Sequence, residues 1–109
     1  MASFEDREKG FEAKYKQDQE RQFKTTARRN KLLGLWAAGM LGITGDAADA
    51  FAKGVVMADL EKPGDDDVIQ HLLRTFGDRG IAMTEHKIRQ EMDRLQAEAE
   101  AQINAGTKR

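Results

Sequence analysis

The chain has 109 residues, of which 39% are hydrophobic and 34% are charged, and it contains no cysteine and one proline. A chain of this length forms a single domain, and the lack of cysteine excludes disulfides, thiolate metal sites and cysteine nucleophiles. Abundant Ala, Glu, Lys, Arg and Leu favour helices over sheets. The longest uncharged apolar run, residues 32–43, is too short to span a bilayer, and the N-terminus has no apolar signal segment. We therefore expect a soluble, cytoplasmic, all-α protein.

Charge and apolar content divide the chain into an arm and a body. Residues 1–31 carry nine Lys and Arg against six Asp and Glu, a net charge of +3. Residues 32–109 carry nine Lys and Arg against thirteen Asp and Glu, a net charge of −4. No Leu, Ile, Val or Met occurs between Glu5 and Lys31. We predict an N-terminal arm over residues 1–18 and a four-helix body over residues 19–109.

The arm carries a narrow aromatic stripe. Phe4, Phe11 and Tyr15 lie within about 40° of one another on a helix. Burying them would contribute about 2–3 kcal/mol each, whereas ordering fifteen or more residues costs on the order of 1–2 kcal/mol per residue. Gly10 adds about 1 kcal/mol to that cost. We predict that the arm is disordered alone and folds as a helix in a partner's groove. Alternatively, the stripe packs on the body and has no further role.

The body is predicted to contain four helices, at approximately residues 19–43, 46–61, 66–77 and 84–105. Each shows an apolar stripe at helical spacing. The stripe of the first helix comprises Leu32, Leu33, Trp36, Met40 and Ile43, and that of the second comprises Ala47, Phe51, Val55 and Ala58. The stripe of the third helix comprises Ile69, Leu72, Leu73 and Phe76, and that of the fourth comprises Ile88, Met92, Leu95, Ala99 and Ile103. Short loops between long helices predict antiparallel neighbours, so we expect a small antiparallel four-helix bundle with a flexible arm.

Small and polar residues mark the predicted contacts and ends of these helices. Gly34, Ala38 and Gly42 would allow a neighbouring backbone to come close, and glycine at the end of the first helix suits a C-cap. Thr44 or Asp46 is expected to cap the second helix and Thr84 the fourth. The acidic run at residues 65–67 suits the start of the third helix, where negative charge complements the helix dipole.

The sequence offers no convincing catalytic or metal site. His71 and His86 lack a second histidine at ligand spacing, and residues 65–67 lack the alternating ligands of a calcium loop. The only serine, Ser3, lies in the polar arm without a base held near it. We therefore predict a protein that is not an enzyme, with no catalytic residue, no metal and no cofactor.

A basic cluster at the start of the body leaves alternatives open. Arg28, Arg29 and Lys31 together with Trp36 could contact a phosphate or an adenine nucleotide, which is our alternative function. We favour a solvated helix face for the cluster and a core position for Trp36. A basic-arm nucleic-acid binder is a third class, but a pI near 6.1 argues against it.

The string from Phe4 to Asp46, FEDREKGFEAKYKQDQERQFKTTARRNKLLGLWAAGMLGITGD, resembles a known family. Nearly the whole chain is similar to the zeta subunit of the F-type rotary ATP synthase of α-proteobacteria. The similarity is strongest over Phe4–Tyr15, at Phe23, over Ala27–Ala38 and over Val55–Val68. The resemblance implies a small four-helix bundle that inhibits ATP hydrolysis by the synthase.

The resemblance also implies a site and a partner. The N-terminal segment would insert as a helix between subunits of the catalytic head, made of alpha, beta and gamma subunits. The implied contact residues are Phe4, Glu5, Asp6, Arg7, Glu8, Phe11, Lys14 and Tyr15. The expected protein is monomeric when free, cytoplasmic and peripheral to the inner-membrane synthase, without membrane insertion or nucleic-acid binding.

Overall fold

A computed structural model describes the backbone of residues 4–107 and the side chains of residues 17–106. Its four helices are α1 (Phe4–Leu41), α2 (Gly45–Glu61), α3 (Asp65–Asp78) and α4 (Glu85–Thr107). This part of the chain contains no strand, so the predicted all-α, four-helix fold is confirmed. None of the helices in the described residues is both long and apolar enough to cross a membrane.

The helices pack around α1. The most extensive contacts join α1 to α2 and α1 to α4, and α3 completes the ring by packing against α2 and α4. The connections are short, at residues 42–44, 62–64 and 79–84. Short connections fold consecutive helices back on each other, so the chain reverses direction at each one. After one reversal α2 runs antiparallel to α1, and after three reversals α4 does so as well.

The first helix begins at Phe4 rather than near residue 19, where the body was predicted to start. Glu, Lys, Arg and Gln dominate residues 5–22, and these are good helix formers that Gly10 alone interrupts. The predicted division at residue 18 is therefore not marked by a break in the backbone. Whether the arm moves separately from the body stays a prediction.

The core is formed by residues from all four helices. The fully or almost fully buried hydrophobic residues are Leu33, Ala37, Ala38, Ala52, Val55, Val68, Ile69, Leu72, Phe76, Ile88, Met92, Leu95 and Ala99. Most residues of the α3 and α4 stripes are thus buried as their spacing indicated, with Leu73 and Ile103 half-buried. In the predicted α2 stripe, Ala47 is exposed instead. On α1 one expectation was wrong, since Met40 is 48% exposed and the small residues opposite it are buried instead. Neighbours approach α1 along its small side chains.

The closest approach in the core is between α1 and α2 at Gly34. A Cβ atom added at Gly34 would lie 2.7 Å from the Ala52 Cα and 3.3 Å from a Val55 methyl carbon. Real Cβ atoms do not approach backbone atoms this closely, so only glycine fits without moving α2. The predicted role of Gly34 in close backbone approach is therefore confirmed.

Glycine ends two of the helices, the first of them as predicted. Gly42 has φ +76°, and after it the Ile43 amide donates a 2.8 Å hydrogen bond to the Ala38 carbonyl. Gly80 has φ +70° and the same pattern, with Ile81 donating to the Phe76 carbonyl at 2.9 Å. These bonds satisfy carbonyls that a helix end leaves without partners.

The helix starts follow the predictions only in part. Thr84 caps α4, where its Oγ1 accepts a 3.1 Å hydrogen bond from the Lys87 amide. Thr44 precedes α2 but makes no capping hydrogen bond through its side chain. The acidic residues 65–67 occupy the first turn of α3, where their charge complements the dipole, while Gly64 holds the cap position.

We predict opposite effects from alanine at two glycines of α1. Gly34→Ala should lower the free energy of unfolding by about 1–3 kcal/mol, because the new methyl group overpacks against the backbone of α2. Gly39→Ala is the matched control, because a Cβ atom added at Gly39 has no other atom within 4 Å. This substitution should raise the free energy of unfolding by about 0.5–1 kcal/mol. Urea denaturation of both variants measures the difference, and equal stabilities would contradict the close contact.

Candidate functional site

The eight positions implied for partner binding lie on the N-terminal part of α1. They are Phe4, Glu5, Asp6, Arg7, Glu8, Phe11, Lys14 and Tyr15. The helical backbone includes all of them, but their side chains lie outside the described residues. Their role in binding therefore stays a prediction.

The four residues of the nucleotide alternative are not brought together. Arg28 and Lys31 are exposed on the outer face of α1, whereas Arg29 is buried. Trp36 is half-buried and packs edge-on against Phe76 of α3, with ring centroids 6.1 Å apart. The solvated-face interpretation thus holds for Arg28 and Lys31 and is wrong for Arg29. Binding of phosphate or adenine nucleotide stays an untested alternative.

Arg29 is instead the centre of a polar cluster that joins three helices, the Arg29 cluster (Arg29, Asn30, Asp65 and Gln96). One terminal nitrogen of its guanidinium donates to the Asp65 carboxylate of α3 at 2.8 Å and to the Asn30 Oδ1 at 3.0 Å. The other donates to the Gln96 Oε1 of α4 at 3.3 Å. These hydrogen bonds give Arg29 a structural role in joining the helices. Whether Arg29 also contacts a phosphate stays a prediction.

Sequence reasoning missed the buried polar residues beside Arg29. Asn30 is fully buried and Thr25 is 5% exposed, although their residue types are usually found at the surface. Thr25 donates from its hydroxyl to the Arg21 carbonyl one turn earlier, at 2.7 Å. The available signal was helical register, since Asn30 lies three residues before Leu33 and so shares its face.

An open groove lies beside the Arg29 cluster, between the first body turns of α1 and most of the length of α4. Its cavity volume is about 810 Å³. The charged groups that line it are Arg21, Arg29, Arg89, Asp65, Asp93 and Glu100, three of each sign. The groove therefore has no excess charge that would select an anion or a cation.

Two arginines on the surface of α4 form ion pairs. Arg89 contacts Asp66 at 2.7 Å and Glu85 at 2.9 Å, and these two hydrogen bonds raise the pKa of Arg89 above its ordinary value. A hydrogen bond to Glu91 has the same effect on the pKa of Arg94. Both arginines keep their charge over the whole accessible pH range. Within the described residues, no group of acidic and histidine side chains could hold a metal ion.

Comparison with known families gives one decisive match. The family described as ATPase inhibitor subunit zeta matches residues 1–102. The chain belongs to the ATPase inhibitor subunit zeta family. The resemblance inferred from Phe4–Asp46 is therefore confirmed. The members of this family are inhibitor subunits of an ATPase and are not described as enzymes themselves.

Structural comparison agrees with the four-helix fold. A protein whose structure was solved by solution NMR is 45% identical, with a TM-score of 0.67, and the match covers 78% of this chain and 96% of that chain. Comparison with functionally curated proteins gives no significant match. A protein of clear sequence similarity, with a solved structure, thus shares the fold of this zeta family member.

We predict that the Arg29 cluster stabilises the fold. Arg29→Met keeps the aliphatic stem but leaves the buried Asn30 carbonyl without its donor, which should lower the free energy of unfolding by about 1–3 kcal/mol. Arg28→Met, on the exposed face one residue earlier, is the control and should change it by less than about 0.5 kcal/mol. Urea denaturation of both variants measures the two changes in the free energy of unfolding. Wild-type stability of Arg29→Met would show that apolar packing replaces the cluster without loss.

Proposed function

We propose that this zeta family member inhibits ATP hydrolysis by the F-type ATP synthase through its arm, residues 1–18, which binds as a helix at a subunit interface of the catalytic head. The single observation that carries the proposal is the family match over residues 1–102, because the matched range includes the arm. The partner surface would consist of alpha, beta and gamma subunits. The protein would then lie peripherally on the synthase, at the inner membrane.

The arm has the chemistry of a helical ligand. Its aromatic positions, Phe4, Phe11 and Tyr15, share one helix face by their spacing, and a hydrophobic groove would bury them together. The charged positions around them, such as Asp6, Arg7 and Lys14, would pair with the rim of the groove. Rim charges chiefly set the association rate and its salt dependence, whereas the buried aromatics set the lifetime of the complex.

The body contributes to inhibition in two ways. Because α1 continues without a break from Phe4 to Leu41, the folded part of the helix provides the costly first turn onto which the arm can add further turns. The arm is therefore cheaper to order when it is attached to the body. The body also remains outside the groove as a bulky stop, which prevents the interface from completing a backward catalytic cycle.

Removing the aromatic stripe tests the proposed role of the arm. The triple variant Phe4→Ala, Phe11→Ala, Tyr15→Ala should raise the concentration for half-maximal inhibition by at least about a hundredfold, because buried aromatic anchors dominate such interfaces. Steady-state ATP hydrolysis by the cognate catalytic head, titrated with each protein, measures it. The control Glu12→Ala, Lys16→Ala removes one charge of each sign outside the implied contact set. Its effect should stay below about threefold.

Circular dichroism of the same variants separates this proposal from its alternative. Unchanged helix content and thermal stability in the triple variant, with inhibition lost, would support a partner-binding stripe. A clear loss of helix content or stability would instead mean that the stripe packs on the body. Inhibition by a protein lacking residues 1–18 would contradict the proposal outright.

Separating the arm from the body tests the contribution of the body. A peptide of residues 1–18 should inhibit less potently than the whole chain, because it must nucleate its own helix and carries no bulky stop. The same hydrolysis assay compares the two at equal concentrations. A peptide as potent as the intact protein would show that the body contributes nothing to inhibition.

A further inference from the structure

A small cleft lies between α1 and α2, next to the Arg29 cluster. Its cavity volume is about 30 Å³. Its lining combines apolar and polar side chains, which are Phe23, Ala27, Val56 and Leu60, and Thr26, Asn30 and Asp59. We call this feature the α1–α2 cleft. Asn30 belongs both to this cleft and to the Arg29 cluster, so the two features share one side chain.

The side-chain amide of Asn30 has a fixed orientation. Its Oδ1 accepts hydrogen bonds from the Nε of Arg29 at 3.3 Å and from a terminal guanidinium nitrogen of Arg29 at 3.0 Å. An amide turned by half a rotation would place its own NH₂ group against these two donors. The oxygen must therefore face Arg29, and the Nδ2 is the polar atom that Asn30 offers to the cleft.

This Nδ2 group requires an acceptor that the protein does not supply. Asn30 is fully buried, and among the described residues no acceptor lies within hydrogen-bond distance of its Nδ2. Burying an amide donor without a partner is costly, so native proteins pair such groups with a protein acceptor or with an ordered water molecule. The α1–α2 cleft is the space beside Asn30 in which such an acceptor fits.

The chemistry of the lining defines the occupant. It must accept a hydrogen bond from the Asn30 Nδ2, which excludes a metal cation or an ammonium ion. It also lies beside the Asp59 carboxylate, which repels an anion. One water molecule occupies about 30 Å³ in the liquid, so nothing larger fits. Buried waters make about three hydrogen bonds, the number that Thr26, Asn30 and Asp59 can provide.

We propose that the α1–α2 cleft is a binding site for a single structural water molecule. The water accepts a hydrogen bond from the Asn30 Nδ2. It donates its two hydrogens to the Asp59 carboxylate and to the Thr26 hydroxyl oxygen. The side chains of Phe23 and Leu60 separate it from bulk solvent.

The water connects α2 to the Arg29 cluster. Arg29 of α1 already contacts Asp65 of α3 and Gln96 of α4. Asp59 lies on α2, and its Oδ1 accepts a 3.2 Å hydrogen bond from the Gly64 amide just before α3. With the water in place, one hydrogen-bonded network includes side chains from all four helices. The water is the only link through which α2 joins the network in this proposal.

Water cross-peaks in NMR spectra test the site in the wild-type protein. A water molecule held beside Asn30 should give the Nδ2 protons cross-peaks at the water frequency, with opposite signs in NOESY and ROESY spectra. Cross-peaks of equal sign would mean that the amide protons exchange with solvent. That result, or the lack of any cross-peak, overturns the proposal.

A substitution that fills the cleft provides the second test. Ala27→Val adds carbon atoms to the lining and should expel the water, which removes one long-lived water from the oxygen-17 relaxation dispersion of the solution. This method detects water oxygen alone, so the Thr26 hydroxyl cannot imitate the signal. Ala101→Val, the same change at an exposed position of α4, is the matched control and should keep the wild-type dispersion. Wild-type dispersion in Ala27→Val overturns the proposal.

The stabilities of the same two variants distinguish a water site from a dry apolar cleft. Filling a dry cleft with methyl groups stabilises a fold, whereas filling this one leaves the Asn30 Nδ2 without an acceptor. The unfolding equilibrium constant of Ala27→Val should therefore be about tenfold higher than that of Ala101→Val, as urea denaturation measures it. An Ala27→Val protein as stable as the control, or more stable, overturns the proposal.

Discussion

The contact between α1 and α2 at Gly34 is the constraint on which the bundle depends. Because the Ala52 backbone lies where a side chain at position 34 would be, the two helices meet almost backbone to backbone. Ala37 and Ala38 continue this small surface, and both are fully buried. A helix with small side chains on several faces can be approached from several sides at once. That property allows α1 to serve as the common partner of α2 and α4 in a short chain.

The Arg29 cluster performs a different task on the same helix. It ties α1 to the start of α3 through Asp65 and to the middle of α4 through Gln96. Asp65 keeps 55% of its side chain exposed, so its charge remains partly hydrated and the ion pair avoids most of the desolvation cost of a fully buried pair. The cluster therefore fixes how the helices are arranged, whereas apolar burial supplies most of the stability.

The sequence predicted the body better than the site. Regular spacing of apolar residues located the buried faces of α3 and α4, and glycines at positions 42 and 80 marked helix ends because their positive φ angles suit few other residues. Met40 was misplaced because α1 is apolar or small all round, which leaves periodicity unable to choose a face. Arg29 was misplaced because a charged residue is ordinarily exposed, and its partners Asp65 and Gln96 are distant in sequence. The arm was predicted from its aromatic spacing and from the resemblance, and its role stays a prediction.

The start of α1 was the largest difference from the sequence-based expectation, and it links the fold to the proposed function. An isolated arm was expected to be unfolded because ordering its residues costs more free energy than burying three aromatic side chains returns. That calculation treated the arm as a separate peptide, whereas in the protein its C-terminal end continues into a helix held by the body. Only propagation remains, and propagation is close to neutral for residues such as Glu, Lys and Arg. Under the proposed function, the arm would be marginally helical when free and fully ordered in a groove, with the body setting its direction. A helix anchored at one end and completed by its partner at the other would combine a low ordering cost with a fixed orientation, which is what the proposed inhibitor needs in order to enter an interface and stay there.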